Sequence, residues 1–468
     1  MNPILNPLIS IPLLKSYVLD SSRMQRLKPK EMRRYQDKAF KGIIKYAYTV
    51  PLYHDKYKKA GVHPNDIKGI DDVVKLPFVT KNDLRENFPD RILPIGYDRN
   101  NAHVICTGGT TGKSVSIYTD FITLGKGCIP FLNEMKFFNL DWKKSRFAHI
   151  GNFNSYRVDR VTQEKFQSRL KPFFSMGNQL NIDVDMKMVD IINKLDRFKP
   201  DVIMAYPAIF QHLAFLKRKG YGKNIKPKLF WTGGAMLDAY TKRYVQDAFG
   251  CRMLNIYPSV EAGANMAFEC YEGTWHIHSD FFHLESIDEN DKLVSPGERG
   301  HVALTRLWGK GTPIIRYTGM DDWVRILPNK ECSCGLSTPI IKDGIEGRAR
   351  ANIVLPDGRV FPTGAFCFIE PILQKFGTYK IRQYQIIQKK IDEIDILLVI
   401  DEDLRDKGAP VDKIVNGIKK IYMGKVGPNV TINVKEVKEI KHHKDSEKPP
   451  PIVISNVSYE EGYNVLDH

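Results

Sequence analysis

The chain has 468 residues, of which 42% are hydrophobic and 26% are charged, and its formal net charge is +16 at pH 7. These proportions are typical of a globular protein with a large core and more than one domain, and they exclude a disordered chain. The lysines are dispersed and no nucleic-acid-binding motif is present, so we expect no nucleic-acid partner.

The cysteines and the N-terminal segment indicate the cellular compartment of the protein. The seven cysteines are an odd number and are thinly spread, which predicts a reducing compartment, the cytoplasm. No apolar stretch approaches the roughly 20 residues that a membrane span requires. Residues 1–17 are apolar but lack a basic start and contain three prolines, so we expect them to pack against the body of the protein rather than act as a signal peptide.

The first 95 residues or so are predicted to be helical. Residues 30–49 have apolar positions at helical spacing, and Thr80 with Asp83 three residues on resembles a capping box. These elements carry no evident chemistry.

A glycine-rich turn separates two predicted strands, 102–107 and 114–120. The turn resembles the phosphate loop GxxxxGK[ST], but Thr107 replaces its first glycine, and the alternating β-branched sequence that follows predicts a strand instead of a helix. Backbone amides, hydroxyl groups and a lysine can together hold a polyphosphate, although an ordinary hairpin loop is the alternative. The residues concerned are Thr107, Gly108, Gly109, Thr110, Thr111, Gly112 and Lys113.

Residues 100–260 alternate between short apolar runs and longer amphipathic runs. This pattern predicts βα units and a largely parallel sheet, that is, an α/β fold. Ligands of such folds gather where strands end, as the motifs at 232–234 and 257–261 do.

A second domain is predicted at the C-terminus. Glycines and prolines bracket charged residues at 345–363, and two strands, a helix and a further strand are predicted after them. We therefore expect domains at 1–347 and 348–468.

Five motifs occur in one order: TGGTTGK, TGG, YPSVE, PIIRYTGMDD and IEGR, followed by a lysine-containing loop. In order and spacing they resemble the adenylate-forming, AMP-binding superfamily, in particular its phenylacetate-CoA ligase and CapK-like branch. The resemblance covers nearly the whole chain. It implies a large N-terminal domain with mixed and parallel sheets and a small mobile α+β C-terminal domain.

The same resemblance implies a reaction. ATP and Mg²⁺ would activate a carboxylic acid as an acyl adenylate, and coenzyme A would accept the acyl group. The glycine-rich turn would wrap the β- and γ-phosphates, with Thr110 and Lys113 in catalytic roles. Glu261 would hold Mg²⁺, a hard cation that favours carboxylate and phosphate oxygens.

The adenine site follows from the next two motifs. Gly233, Gly234 and Ala235 would let the backbone approach the adenine, and Tyr257 would stack on it. The family commonly has YGxSE or YGxTE, whereas here Pro258 follows the tyrosine and Val260 removes a hydroxyl group. Ser259 would face the other way from residue 260 on an extended segment.

The remaining nucleotide contacts are also implied by the resemblance. Either Asp321 or Asp322 would bind the ribose hydroxyl groups. Arg348 matches the arginine before the family hinge. Lys448 matches the catalytic lysine, although SEK replaces the family's SGK there, and Lys444 is the alternative.

Four further side chains have the chemistry of a metal site. Cys332 and Cys334 form a CxC pair, and Cys270 and His276 can come from another strand to complete a tetrahedral structural zinc site. His278 and His283 are alternative ligands, and reduced structural cysteines are the alternative interpretation.

Three functions remain open from the sequence. The first is acid activation with transfer to coenzyme A. The second is adenylyl transfer to a deazaflavin coenzyme or another hydroxyl acceptor, or else a CapK-like role in polysaccharide biosynthesis. The third is nucleotide binding without catalysis. The acid pocket is expected near 149–153, 206–207 and 232–236, and the identity of the acid and the oligomeric state cannot be predicted.

Overall fold

A computed structural model describes residues 2–107, 114–151, 153, 157–173, 178–320, 322–347, 353–361, 366–440 and 451–457. The chain divides into two compact units. The first comprises Met1–Asp185, Leu254–Met320 and Val324–Gly344, and the second comprises Met186–Met253, Asp321–Trp323 and Ile345–His468. The domain boundary between residues 347 and 348 stays a prediction.

The first unit begins with helices, as predicted for the N-terminal part. Thr80 begins the fifth helix with the expected capping box, since its hydroxyl group accepts from the Asp83 amide and the Asp83 carboxylate accepts from the Thr80 amide. The predicted helix at 30–49 is the third. The helices are α1 (Pro7–Leu19), α2 (Arg23–Arg26), α3 (Pro29–Ala47), α4 (Pro51–Lys59) and α5 (Lys81–Asn87).

A hairpin and a parallel strand pair follow. Strands β1 (Ala102–Cys106) and β2 (Ser116–Asp120) pair antiparallel, so strands lie on both sides of the glycine-rich turn as predicted. The Asp120 carboxylate caps the next helix by accepting from the Thr123 amide. The other elements of this part are α6 (Phe121–Gly127), α7 (Ile129–Phe137), β3 (Phe147–Gly151), α8 (Val158–Val161), a π-helical turn (Thr162–Gln167), α9 (Ser168–Leu170) and β4 (Gln179–Asp183), with β3 and β4 parallel.

Antiparallel strands complete the first unit. Two hairpins, β8–β9 and β12–β13, come together because β9 pairs with β13, which aligns His276 with Ile340. The strands follow the order β10–β11–β12–β13–β9–β8–β7. They are β7 (Arg252–Ser259), β8 (Ala264–Glu269), β9 (Trp275–Ile277), β10 (Phe282–Ile287), β11 (Arg299–Arg306), β12 (Trp323–Glu331) and β13 (Ser337–Ile341).

The second unit begins with βα repeats that match the prediction. Strands β5 (Val202–Ala205) and β6 (Leu229–Thr232) pair in parallel, and every residue of β6 is buried. Parallel strands covered by helices need such continuous apolar sequence. The helices are α10 (Met188–Phe198), α11 (Pro207–Arg218) and α12 (Ala239–Phe249).

The described residues of the rest of the second unit form a four-stranded sheet, the separate strand pair β14–β15 and two α-helices, as predicted for an α+β segment. Strands β16 and β17 pair antiparallel, while β18 and β19 join them in parallel. The elements are β14 (Ile353–Val354), β15 (Val360–Phe361), α13 (Glu370–Lys375), β16 (Ile381–Lys390), β17 (Glu393–Ile400), α14 (Val411–Val426), β18 (Thr431–Glu436) and β19 (Val453–Ser455).

The fold is therefore mixed α/β, with parallel and antiparallel strands, as expected. Among the helices that the structure describes, none has both the length and the apolar composition that crossing a bilayer requires.

Candidate active site

The β1–β2 hairpin holds the ends of the predicted triphosphate loop. The Thr107 amide donates to the Val115 carbonyl at 2.9 Å, and the Val115 amide donates to Thr107 Oγ1 at 2.8 Å. These bonds close the hairpin directly beside the turn. Residues 108–113 lie outside the described part of the chain, so the phosphate-binding roles of Gly108 to Lys113 stay predictions.

The carboxylate of Glu261 lies just past the end of β7 and is held from two sides. Tyr317 Oη donates to Glu261 Oε1 at 2.9 Å, and Ser259 Oγ donates to Oε2 at 2.8 Å. Glu261 is 8% exposed, so these bonds orient a buried carboxyl group rather than a solvated one. The sequence predicted Glu261 as a site residue, but it did not predict either partner.

Ser259 is the last residue of β7, and a turn follows it. The Gly263 amide donates to the carbonyl groups of Ser259 and Val260, which defines a turn. Ser259 Oγ also accepts from the Glu261 amide at 3.2 Å. Side chains two residues apart can meet on an extended segment as well as in a turn, so this contact does not test the expectation that Ser259 faces away from residue 260. It does show that the serine hydroxyl group holds the Glu261 carboxylate.

Pro258 coincides with an irregularity in the β7–β8 pairing. The register shifts between Tyr257, which pairs with Ala267, and Pro258, which pairs with Asn265. Proline has no N–H group to donate to the neighbouring strand, so a bulge is the expected accommodation. Tyr257 itself is 6% exposed, and its stacking on adenine stays a prediction.

A buried arginine supports the same turn. Arg306 is 1% exposed and donates to the carbonyl groups of Glu261 at 3.4 Å and Thr312 at 2.8 Å. Burial lowers the pKa of Arg306 to about 10. The guanidinium group thus remains charged at pH 7 and ties the Glu261 backbone to the segment after β11.

In the second unit, Gly233, Gly234 and Ala235 follow β6 directly. Gly234 has φ of +71°, and a Cβ atom added to it would lie 2.9 Å from Cε1 of Tyr206. Glycine is therefore required at this position by both backbone conformation and space. Gly234 and Ala235 are exposed, as a backbone that approaches a ligand must be, and their adenine contact stays a prediction.

Several other predicted residues are only partly described or not described. Asp322 is half-buried and lies directly before β12, whereas Asp321 is outside the described residues. The choice between them stays open. Arg348, Lys444 and Lys448 also lie outside the described residues.

Four of the predicted metal ligands lie together in the first unit. The ligand atoms of Cys270, His276, Cys332 and Cys334 are all within 4.8 Å of one another. Cys270 Sγ is 4.0 Å from Cys332 Sγ, and Cys334 Sγ is 3.2 Å from His276 Nε2. In contrast, His278 Nε2 contacts Glu134 Oε1 at 3.0 Å, so it is engaged elsewhere.

Two glycine turns present the thiols. The Gly273 amide donates to the Cys270 carbonyl and the Gly335 amide donates to the Cys332 carbonyl, and both glycines have positive φ. The pairing of β9 with β13 brings these two hairpin ends together. A pair of tight turns that present cysteines is a common way of building a small metal site.

The imidazole of His276 is oriented by a residue that the sequence did not predict. His276 Nδ1 lies 2.8 Å from Thr338 Oγ1, which leaves Nε2 facing the thiols. Burial lowers the pKa of His276 to about 4, so the ring is neutral at pH 7, the form that binds a metal ion. Only the strand register could have revealed Thr338, because it is 62 residues from His276.

Known proteins resemble this chain over most of its length. No family model matches the chain. Phenylacetate-coenzyme A ligase from Pseudomonas putida is 26% identical over 414 residues, covering 85% of this chain and 87% of that protein. The enzyme of the same name from Thermus thermophilus is 24% identical over 443 residues, covering 88% and 93%.

Solved structures show the same fold. A 2-hydroxyisobutyryl-CoA ligase in the postadenylation state matches with a TM-score of 0.76 at 18% identity, covering 95% of this chain and 93% of that chain. The same ligase with an acyl adenylate and CoA in the thioesterification state matches with a TM-score of 0.60 at 17% identity. The chain is therefore similar in sequence to the phenylacetate-coenzyme A ligases and shares its fold with the 2-hydroxyisobutyryl-CoA ligase.

Proposed function

We propose that this protein is an AMP-forming carboxylate–CoA ligase, which uses ATP to activate an acid as an acyl adenylate and passes the acyl group to coenzyme A. The observation that carries the proposal is the buried Glu261 carboxylate, fixed by Tyr317 and Ser259 after a strand end. Its position in the motif series supports the assignment, as does the resemblance to phenylacetate-CoA ligases.

The chemistry of Glu261 fits a magnesium ion. A carboxylate has about four acceptor positions, and the two described side-chain hydrogen bonds take two of them. The remaining positions suit a hard cation that also binds phosphate oxygens. A bound Mg²⁺ would neutralise charge on the polyphosphate, and Tyr317 and Ser259 would keep the carboxylate oriented for it.

The other roles are proposed from the motif series. The 107–113 loop would hold the β- and γ-phosphates, and Gly233, Gly234, Ala235, Tyr257 and Pro258 would surround the adenine. Asp321 or Asp322 would bind the ribose. Lys448 would offset the charge that develops on the α-phosphate as the carboxylate attacks and pyrophosphate leaves.

A change of conformation about Arg348 would separate the two half-reactions. The C-terminal domain, 348–468, would withdraw Lys448 after adenylation and admit the thiol. Only a few residues at such a hinge need to absorb the rotation.

We also propose a structural zinc ion at Cys270, His276, Cys332 and Cys334. Three thiols and one oriented neutral imidazole form a complete tetrahedral donor set, which is typical of structural rather than catalytic zinc. Such an ion would join the β8–β9 and β12–β13 hairpin ends.

A cytoplasmic location remains part of the proposal, and the seven cysteines, none of which forms a disulfide, support it.

ATP–pyrophosphate exchange tests the function. Aryl, fatty and amino acids and a deazaflavin are screened with ATP and Mg²⁺, and CoA is then added with the preferred acid. We expect acid-dependent exchange, followed by AMP and thioester formation. Glu261→Gln should lose exchange, while the exposed Glu298→Gln should retain it. Absence of exchange with every acid, or exchange only with the deazaflavin, would overturn the proposal.

A further inference from the structure

Helix α1 exposes an apolar face that nothing in the first unit covers among the described residues. Leu8 is 80% exposed, Ile11 and Leu14 are each 63% exposed, and Val18 is 60% exposed. At about 100° per residue these four side chains lie on one side of the helix. A continuous row of exposed aliphatic side chains is unusual for a surface that faces only water.

The opposite side of α1 is fixed to the first unit. The side chain of Leu13 lies so close to Gly125 that a Cβ atom there would be 2.5 Å from Leu13 Cδ2. Trp142 Nε1 donates to Tyr17 Oη at 3.1 Å. The helix is therefore held in place by one side, and the exposed side is left as a fixed surface.

One basic residue lies within this face, and three more lie beyond the C-terminal end of α1. No acidic residue occurs before Asp20, whereas Lys15 lies within the exposed face. Asp20 is itself paired with Arg23. The exposed residues Arg26, Lys28 and Lys30 continue the positive charge beyond the end of the helix.

A second basic segment lies at the start of α1. Asn2 Nδ2 donates to the Arg169 carbonyl at 2.9 Å, which joins the N-terminus to the end of α9. Arg169 and Lys171 are exposed there, and Phe173 adds a 46% exposed aromatic ring. The apolar face is thus flanked by cationic groups at both of its ends.

We propose that the exposed face of α1 docks on an anionic phospholipid surface. An apolar strip with basic flanks matches the boundary between acyl chains and negatively charged headgroups, where interfacial helices lie. A symmetric pairing of two copies through this face would instead bring Lys15 and its basic neighbours of one copy towards those of the other, which is unfavourable. The helix lies on the membrane and does not cross it.

Vesicle sedimentation with the full-length protein tests the proposal. One set of vesicles is phosphatidylcholine alone, and the other contains about 30% phosphatidylglycerol, in the range of anionic surfaces that attract basic segments. We expect binding to the anionic set that weakens as salt is raised. The double variant Ile11→Gln, Leu14→Gln should reduce the partition coefficient by about tenfold or more, because two exposed aliphatic side chains can no longer enter the acyl region.

Matched controls separate docking from loss of folding. Val74→Gln and Ile95→Gln replace exposed aliphatic residues outside α1 and should leave vesicle binding unchanged. The thermal unfolding temperature of every variant should match that of the parent protein. Lys15→Glu with Lys28→Glu should weaken binding to anionic vesicles.

Three results would overturn the proposal. These are no binding to anionic vesicles, equal binding by the Ile11→Gln, Leu14→Gln variant, and a dimer in sedimentation velocity that this variant dissociates while no vesicle binding is seen. The last result would show that a second copy covers the face.

Discussion

The hydroxyl group of Tyr317 donates a 2.9 Å hydrogen bond to Glu261 Oε1, across 56 residues of sequence. Tyr317 is fully buried, and its backbone pairs with Leu304 of β11. The segment PIIRYTG therefore positions the glutamate of YPSVE. Two motifs that are separate in the sequence form one arrangement in the first unit.

Tyr317→Phe should slow adenylation by about 10- to 100-fold. A hydrogen bond to a charged group contributes about 1.5–3 kcal/mol, and each 1.4 kcal/mol is a factor of ten in rate if the bond is needed in the transition state. The measurement is ATP–pyrophosphate exchange over a range of Mg²⁺ concentrations. We expect half-maximal exchange to require more Mg²⁺, since the carboxylate is less well oriented.

Tyr57→Phe is the matched control for this change. Tyr57 is also fully buried, but its hydroxyl group has no hydrogen-bond partner among the described residues. Removing it should leave exchange within about twofold of the parent protein, since no bond is lost. Equal losses in the two variants would contradict a specific role for Tyr317.

Local patterns predicted much of the fold. Helices α10, α11 and α12 and strands β5 and β6 appear where the spacing of apolar residues indicated them. Such elements can be predicted because their periodicity lies in residues that are close together in the sequence. The contacts of Tyr317 with Glu261 and of Thr338 with His276 depend on strand register, which no local pattern contains.

The N-terminal helix shows the limit of composition as a guide. The apolar residues 1–17 were expected to pack against the body of the protein, yet only one side of α1 does so. Pro7 lies at the helix start, where it is tolerated, and the helix continues through Pro12. A moderately apolar sequence cannot by itself indicate which of its side chains will be covered.

Glu285→Ala should destabilise the protein by about 3–5 kcal/mol. Glu285 pairs with Arg316 in two hydrogen bonds of 3.2 and 2.9 Å, and both side chains are buried. Removing the carboxylate leaves a buried cation without its partner. Arg316 also has φ of +46°, so the pairing helps to hold a backbone conformation that arginine rarely adopts.

Urea unfolding of three variants measures this effect. Asp55→Ala removes an ion pair with Arg91 in which both side chains are more than half exposed, and it should cost less than about 1 kcal/mol. Glu285→Leu combined with Arg316→Met should recover much of the loss, because no charge stays buried. If Glu285→Ala cost no more than Asp55→Ala, the buried pair would not contribute as described.

Asp280→Asn should remove a pH dependence of stability. Asp280 is 1% exposed, and its Oδ2 lies 3.6 Å from Nη1 of the buried Arg23, an ion pair without side-chain hydrogen bonds to the described residues. Burial outweighs the attraction of the nearby positive charge and raises the pKa of Asp280 from 3.8 to about 6. The folded state therefore binds the proton more tightly, and the free energy of unfolding falls as pH rises from about 4 to about 6. A shift of this size corresponds to about 3 kcal/mol.

The difference in unfolding free energy between Asp280→Asn and the parent protein should thus grow across this pH range, in favour of the variant. Above about pH 6 it should be constant. If the difference in unfolding free energy between Asp280→Asn and the parent protein stays constant from pH 4 to pH 6, the pKa of Asp280 is not raised as described.

Purified protein should contain one zinc ion per chain, and Cys334→Ser should lose it. Cys334 Sγ is 3.2 Å from His276 Nε2, within a donor set that a serine hydroxyl group cannot complete at neutral pH. Metal analysis and thermal unfolding measure the result, and we expect a lower unfolding temperature because metal binding stabilises the folded state. Cys106→Ser, outside the cluster, should retain the ion. If the parent protein contains no stoichiometric metal, the proposal is wrong, and the three cysteines and His276 are ordinary structural residues.

Lys448→Ala should abolish adenylate formation and spare thioester formation from a supplied acyl adenylate. A lysine that offsets charge on the α-phosphate is needed in the first half-reaction, in which the carboxylate attacks the α-phosphorus and pyrophosphate leaves. In the second half-reaction the thiol attacks the acyl carbon and AMP leaves, so the bonds to the α-phosphorus stay intact. Exchange of pyrophosphate measures the first step, and release of AMP from acyl adenylate and CoA measures the second. Lys444→Ala provides the comparison, since the replacement of the loop glycine by Glu447 leaves two lysines as candidates. Selective loss of exchange in Lys444→Ala would move the role to that residue, and equal loss of both steps in Lys448→Ala would indicate a structural effect instead.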